Sequence, residues 1–124
     1  MKTNLGGWFE IPVNDMQRAI VFYEEVLQLK ISIQDFGGVQ MGWFPSAGEA
    51  YGATGTLIQH ESYVPSHHGT LIYLACEDLQ NELDRIEAAG GKILQPKTMI
   101  SKDHGHMATF EDSEGNRIAL HSQI

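Results

Sequence analysis

A single cysteine, Cys76, stands in the 124-residue chain, so no disulfide can form within it. Basic residues are scarce, with eight Lys and Arg against 16 Asp and Glu, a formal net charge of −8. The excess acid is not a tail, because residues 1–62 and 63–124 carry −4 each. That balance argues against a nucleic-acid surface, since binding there depends on neutralising phosphates. No run of about 18 apolar residues exists, so no membrane-spanning helix is expected. The start, Met1-Lys2-Thr3-Asn4, lacks the pattern of a secretory signal, and a cytoplasmic protein is expected. The glycines of "GGVQMG" (37–42) straddle a hairpin with no helix behind them, so they do not form a phosphate-cradling loop.

What is present suits one globular domain over 1–124, with 42% hydrophobic residues for a core. "WFEIPV" (8–13) alternates, with Phe9, Ile11 and Val13 on one face and Trp8, Glu10 and Pro12 on the other. A helix follows over 15–28, capped by Asn14 or Asp15, with Met16, Ala19, Ile20, Tyr23 and Leu27 as its apolar stripe. Strands are expected at 29–36, 39–44 and 53–60. After a polar connection containing His67 and His68, read as solvated, "TLIYLAC" (70–76) is a strand. The helix 78–89 has Asp78 as cap, Leu79, Leu83 and Ile86 as stripe, and Gly90 or Gly91 at its end. Its charges, Glu82, Asp84, Arg85 and Glu87, read as a solvated face, as do Glu24 and Glu25 on the first helix. An extended segment over 92–100, bent near Pro96, and strands at 106–112 and 116–122 complete the chain.

The order βαβββ therefore occurs twice. Val13-Asn14-Asp15-Met16-Gln17 and Cys76-Glu77-Asp78-Leu79-Gln80 match in type at an offset of 63. In each, a strand ends, an aspartate caps, and an apolar residue opens the stripe. An offset near half the length argues for two copies of one module, about 1–62 and 63–124.

With "FEIPVNDMQRAIVFYEEVL", "LIYLACEDLQNELDRIEAAGG" and "FEDSEGNRIALHS", the chain resembles the vicinal oxygen chelate superfamily, which includes glyoxalase I, bleomycin-resistance proteins and extradiol dioxygenases. The last stretch resembles a D-P-x-G-N-x-x-E-L ending, with Ser113 in place of proline. The resemblance implies an α+β fold in which two βαβββ modules curl into half-barrels facing a cleft, with helices outside. Phe9, Ile11, Val13, Ile72, Leu74, Cys76, Ile118 and Leu120 would pack under the helices. Trp8, Glu10, Leu71, Tyr73, Ala119 and His121 would face the cleft. Family enzymes hold a divalent ion there with four side chains, and those positions fall on Trp8, about Thr56, Leu71 and Ala119. Three of these have no donor, and threonine is a poor one. No metal and no other cofactor is expected at the usual place.

Glu10, Tyr73 and His121 each sit two residues beyond such a position, on the same strand face. They are the candidate catalytic groups, Glu10 as base with His121 or Tyr73 as acid, or a displaced ligand set that His60 could join. Trp8, Trp43, Phe44, Leu71 and Ala119 are the candidate ligand-binding residues, with the aromatic rings as a wall for a flat or apolar molecule. His104 and His106 are loop and strand-start residues, or a pair on one face able to take a metal. Cys76 falls on the helix side of its strand and reads as a buried, inert thiol. Two functions follow. One is a small-molecule-binding protein without the usual catalytic metal, expected as a homodimer by family resemblance. The other is a glyoxalase-related lyase or isomerase built on Glu10 and His121.

Overall fold

The computed structural model describes residues 2–124. The elements run β1 (Phe9–Pro12), α1 (Met16–Leu27), β2 (Ser32–Phe36), β3 (Val39–Trp43), β4 (Gly55–Gln59), β5 (Tyr73–Ala75), α2 (Leu79–Ala89), β6 (Lys92–Ser101), β7 (Gly105–Glu111) and β8 (Arg117–Ser122). They form two four-stranded sheets, ordered β1-β4-β3-β2 and β5-β8-β7-β6. In each sheet the first strand pairs in parallel with the last, and the other pairs are antiparallel. The two windings are the same, as two copies of one βαβββ module require.

Both helices start where the sequence places a cap. The Asp15 carboxylate accepts from Arg18 N at 3.1 Å, and that of Asp78 from Gln80 N at 3.0 Å. Both end in a left-handed residue, Gly90 at φ 109° for α2 and Gln28 at φ 55° for α1. Glycine has no Cβ to resist this turn, whereas Gln28 carries the strain of a side chain there.

Core packing follows the alternation. Ile11, Val13, Leu74, Ile118 and Leu120 are buried, and Phe9, Ile72 and Cys76 pack partly buried against them. On α2 the stripe Leu79, Leu83 and Ile86 is fully inside. On α1 the buried arc is wider than the stripe, because Phe22 and Val26 are buried as well. Phe22 meets Phe110 of the second module with ring centroids 6.0 Å apart. Arg85 of α2 donates from Nε to the Val26 carbonyl at 2.9 Å. The helices thus lie against one another as well as over their sheets, a contact that periodicity within one helix does not encode.

Three local expectations change. The strand expected at 70–76 shortens to Tyr73–Ala75. The segment around Pro96 is one ten-residue strand, and register shifts against β7 absorb the missing amide at this sheet edge. The half-barrels do not close on each other within the chain, since among the described residues no ladder joins the two sheets and β1, β2, β5 and β6 are edges.

The modules are joined instead by the turn 112–116. Asp112 Oδ1 accepts from the amides of Glu114 and Asn116 at 2.8 and 2.9 Å, which shapes the turn. Its Oδ2 accepts from Tyr23 Oη of α1 at 2.6 Å and from Asn116 Nδ2 at 3.0 Å. Glu114 then reaches the N-terminus of α1. Its Oε1 accepts from the amides of Asn14 and Asp15 at 2.9 and 2.8 Å and from Arg18 Nη2 at 3.0 Å. Its Oε2 accepts from Arg18 Nε at 2.8 Å and Ser113 Oγ at 2.9 Å. Asn116 Nδ2 also donates to the Pro12 carbonyl at 2.7 Å. Burial pulls the Glu114 carboxyl upward, but the donors from Arg18, Asp15, Ser113 and Asn14 outweigh it and hold the pKa below the ordinary value. Burial, and then the adjacent Asp112, push the Tyr23 hydroxyl well above its usual range.

Replacing Glu114 with Gln keeps the shape but removes the charge from five donors. A loss of about 2–3 kcal/mol is expected in urea unfolding at neutral pH. Since the folded carboxyl lies below its ordinary 4.5, its stabilisation is complete above that pH and is lost as pH falls through the lower folded value. Unfolding free energies measured from pH 6 downward should therefore decline more steeply for the wild type than for Glu114→Gln. Parallel declines would show that this carboxylate is not the titrating contact.

Candidate functional site

The face of the first sheet turned away from the helices collects Trp8, just before β1, with Glu10, Trp43 and Thr56. Cross-strand register sets them together, Thr56 lying opposite both Glu10 and Trp43. The indoles of Trp8 and Trp43 meet edge to face with centroids 5.8 Å apart. Trp8 is 62% exposed, whereas Thr56 beside it is wholly buried. Two polar atoms here are buried without a hydrogen-bond partner, Trp43 Nε1 and Thr56 Oγ1. Such groups normally find partners, so this floor has unused donor and acceptor capacity.

The matching face of the second sheet carries Tyr73, Ala119 and His121, with Tyr73 opposite Ala119 and Ala75 opposite His121. Leu71 precedes β5 on the same side. Tyr73 is exposed and Ala119 fully buried. His121 Nε2 lies 2.6 Å from the His104 carbonyl. A carbonyl only accepts, so Nε2 carries the proton and Nδ1 is the free lone pair of the neutral ring.

Within one chain these groups fall into separate places. Trp8 and Glu10 border a groove of about 360 Å³ with Pro12, Val64, His68, Thr70 and Arg117. Tyr73 borders a different one of about 450 Å³, beneath the loop 45–54. His121 borders neither. The structure thus brings Trp8, Glu10 and Trp43 together and holds Tyr73 and His121 on the other sheet. Phe44 is 7% exposed, packed between Phe9 and Tyr23 with centroids 5.8 Å from each, and its outer side borders the larger groove.

The residues at the family's metal positions do not fit a metal. Trp8, Leu71 and Ala119 have no donor to offer, and the Thr56 hydroxyl is neutral and buried beside the indoles. Among the described residues no three of His, Cys, Asp or Glu converge. His60 lies past the end of β4, with Nδ1 2.7 Å from Ser62 Oγ. His104 Nδ1 is 2.9 Å from Ser101 Oγ, and His106 is the second residue of β7.

Two charged groups depart from the solvated reading. His67 is half-buried, its Nε2 2.6 Å from Glu111 Oε2, so the connection between modules is pinned to β7. Glu82 turns inward and borders the larger groove, with Oε1 buried and unpartnered. Sequence held a signal for the second. Glu82 stands three residues after Leu79 and four before Ile86, on the apolar stripe itself.

The family model described as Glyoxalase/Bleomycin resistance protein/Dioxygenase superfamily matches residues 7–120. Comparison with curated protein sequences gives no match. TnmS3, an antibiotic binding protein from Streptomyces sp. CB03234, superposes with TM-score 0.70 at 23% identity over 98% of both chains. The fosfomycin resistance protein FosX from Listeria monocytogenes gives TM-score 0.70 at 17% identity, over 98% of this chain and 92% of that one. A V278E mutant of glyoxalase I from Zea mays gives TM-score 0.68 at 19% identity over 94% of this chain. This chain spans only 45% of that maize protein's length.

Cys76 offers a check on the surroundings of the larger groove. Burial, and then the neighbouring Glu82, push its thiol up to about 12. At pH 8 alkylation by iodoacetamide should run about a thousandfold slower than for a free thiol, and reach the ordinary rate in urea. Mass spectrometry of timed samples reads this directly, and fast labelling of the folded protein would contradict the burial.

Proposed function

We propose that this chain, which belongs to the Glyoxalase/Bleomycin resistance protein/Dioxygenase superfamily, is a binding protein for a small aromatic or amphipathic molecule. The ligand lies on the sheet faces between modules, without the family's four-ligand metal centre. The observation that carries the reading is the edge-to-face pair of exposed Trp8 and half-buried Trp43, with Trp43 Nε1 and the adjacent Thr56 Oγ1 unpartnered, at the place where ligating side chains would stand. Indole faces give a flat molecule stacking area, and the orphan N–H and hydroxyl give it something polar to bind. TnmS3 is an antibiotic binding protein and FosX a fosfomycin resistance protein, so the same fold serves small-molecule recognition elsewhere. The formal charge of −8 favours a neutral or cationic ligand.

The working form in this reading is a homodimer. Two unclosed sheets, free edges at β1 and β5, and exposed Trp8 and Tyr73 are what a second copy would cover. Such pairing would set Trp8 and Glu10 of one copy against Tyr73 and His121 of the other.

A second reading, a lyase or isomerase with Glu10 and His121 as acid–base pair, draws on the fixed tautomer of His121, whose free Nδ1 could take a proton.

Tryptophan fluorescence during titration with planar aromatic compounds tests the first reading. Saturable quenching is expected, weakened at least about tenfold in Trp8→Ala. Quenching that is absent, or untouched by the substitution, would overturn it. Sedimentation velocity should give twice the 13.8 kDa chain mass, and a monomer at working concentration would remove the dimer. For the second reading, Glu10→Gln should move the His121 ring signals in NMR spectra of the dimer, and unmoved signals would dismiss the pair.

A further inference from the structure

The groove of about 450 Å³ lies away from the tryptophan face and between the modules. Phe9, Leu27 and Phe44 come from the first module, and Leu74, Cys76 and Glu82 from the second. The loop 45–54 forms its roof, with glycines at 48 and 52 in left-handed conformation. Leu27, Phe44 and Leu74 give it apolar wall, Ser46, Thr54 and Tyr73 add neutral polar groups, and Glu82 is its one charged side chain. Glu82 Oε1 is buried without a hydrogen-bond partner. Its Oε2 is 3.7 Å from Arg85 Nη2, beyond hydrogen-bond length. Arg85 cannot readily close that gap, because its Nε is committed to the Val26 carbonyl at 2.9 Å. The neighbouring thiol is at most a weak partner, since Cys76 Sγ, which also lies 3.6 Å from the Leu74 carbonyl, is a poor donor. A carboxylate oxygen so placed is expensive to leave unpaired.

We infer that this groove is a second binding site, for a small organic cation that carries a primary ammonium on an apolar chain. The ammonium donates to Glu82 Oε1 and completes the carboxylate's pairing, while the chain lies against Leu27, Phe44 and Leu74. Specificity comes from the charge. A neutral molecule of the same shape buries the same apolar surface but leaves Oε1 unpaired. The site belongs to the junction of the modules and needs no second copy of the chain.

The test uses the full chain with n-hexylammonium as probe and 1-hexanol as its neutral counterpart. Calorimetric titration should show hexylammonium binding at least about tenfold more tightly than hexanol. In methyl NMR spectra the Leu27 and Leu74 signals should shift with the same apparent affinity. Glu82→Gln should weaken hexylammonium at least about tenfold and bring it level with hexanol. Ala50→Trp, a change on the exposed roof loop, should block both compounds. Equal affinity for the two compounds, methyl signals that stay put, or unchanged binding in folded Glu82→Gln would each overturn the inference. Should Glu82→Gln not fold, Ala50→Trp decides, and undiminished binding there overturns it.

Discussion

A carboxylate at the start of a helix holds this molecule together. Glu114 belongs to the second module, yet it takes both amides and the arginine that the N-terminus of α1 offers. A helix start leaves amide groups unsatisfied and carries partial positive charge, so an anion there is favoured twice over. Asp112 prepares the contact by folding the turn around its own oxygens and then holding Tyr23. With the turn fixed, Phe110 meets Phe22 and α2 comes to rest on α1. The relative position of the sheets, and with it every groove between modules, depends on this one set of contacts.

Because the modules join through helices and a turn, their sheets stay open on the other side. Water therefore reaches Trp8 and Tyr73, side chains of a size that cores usually take in. On the first sheet the face turned from the helices presents indoles and a buried hydroxyl in place of ligating side chains. That exchange moves the chemistry from charge and coordination to stacking and shape. The groove beneath the loop 45–54 differs again, with a single acid among apolar and neutral polar side chains.

Much of this architecture was legible in the residues. Period-two alternation placed Ile11, Val13, Ile118 and Leu120 under the helices, and aspartates marked both helix starts. The matched segments at an offset of 63 announced the repeat. What stayed hidden came from contacts across modules, which leave no period along the chain. Phe22 and Val26 are buried because another module lies against α1, and nothing on that helix distinguishes them from exposed neighbours such as Val21. Glu114 falls between the strands expected at 106–112 and 116–122 with nothing to mark it, and only the folded chain reveals its partners about a hundred positions away. For the site, side-chain chemistry was enough to see that Trp8, Leu71 and Ala119 cannot ligate. Alternation alone could not tell that Glu10 and His121 sit on sheets that do not close on each other.

The separation in sequence between Glu114 and the helix it caps has a further effect, on the order of events during synthesis. Contacts spanning residues 14–18 and 114 cannot form until residue 114 has left the ribosome. Until then the first amides of α1, an amphipathic segment, are met by water, by Asp15 and, once β4 is made, by Gln59. Its apolar arc, widened for a module not yet made, stays uncovered through most of translation. Long-range closure of this kind slows folding, since the entropy of the large loop is lost before the contact rewards it. The first module thus emerges as an unfinished half, and the last dozen residues complete both halves at once.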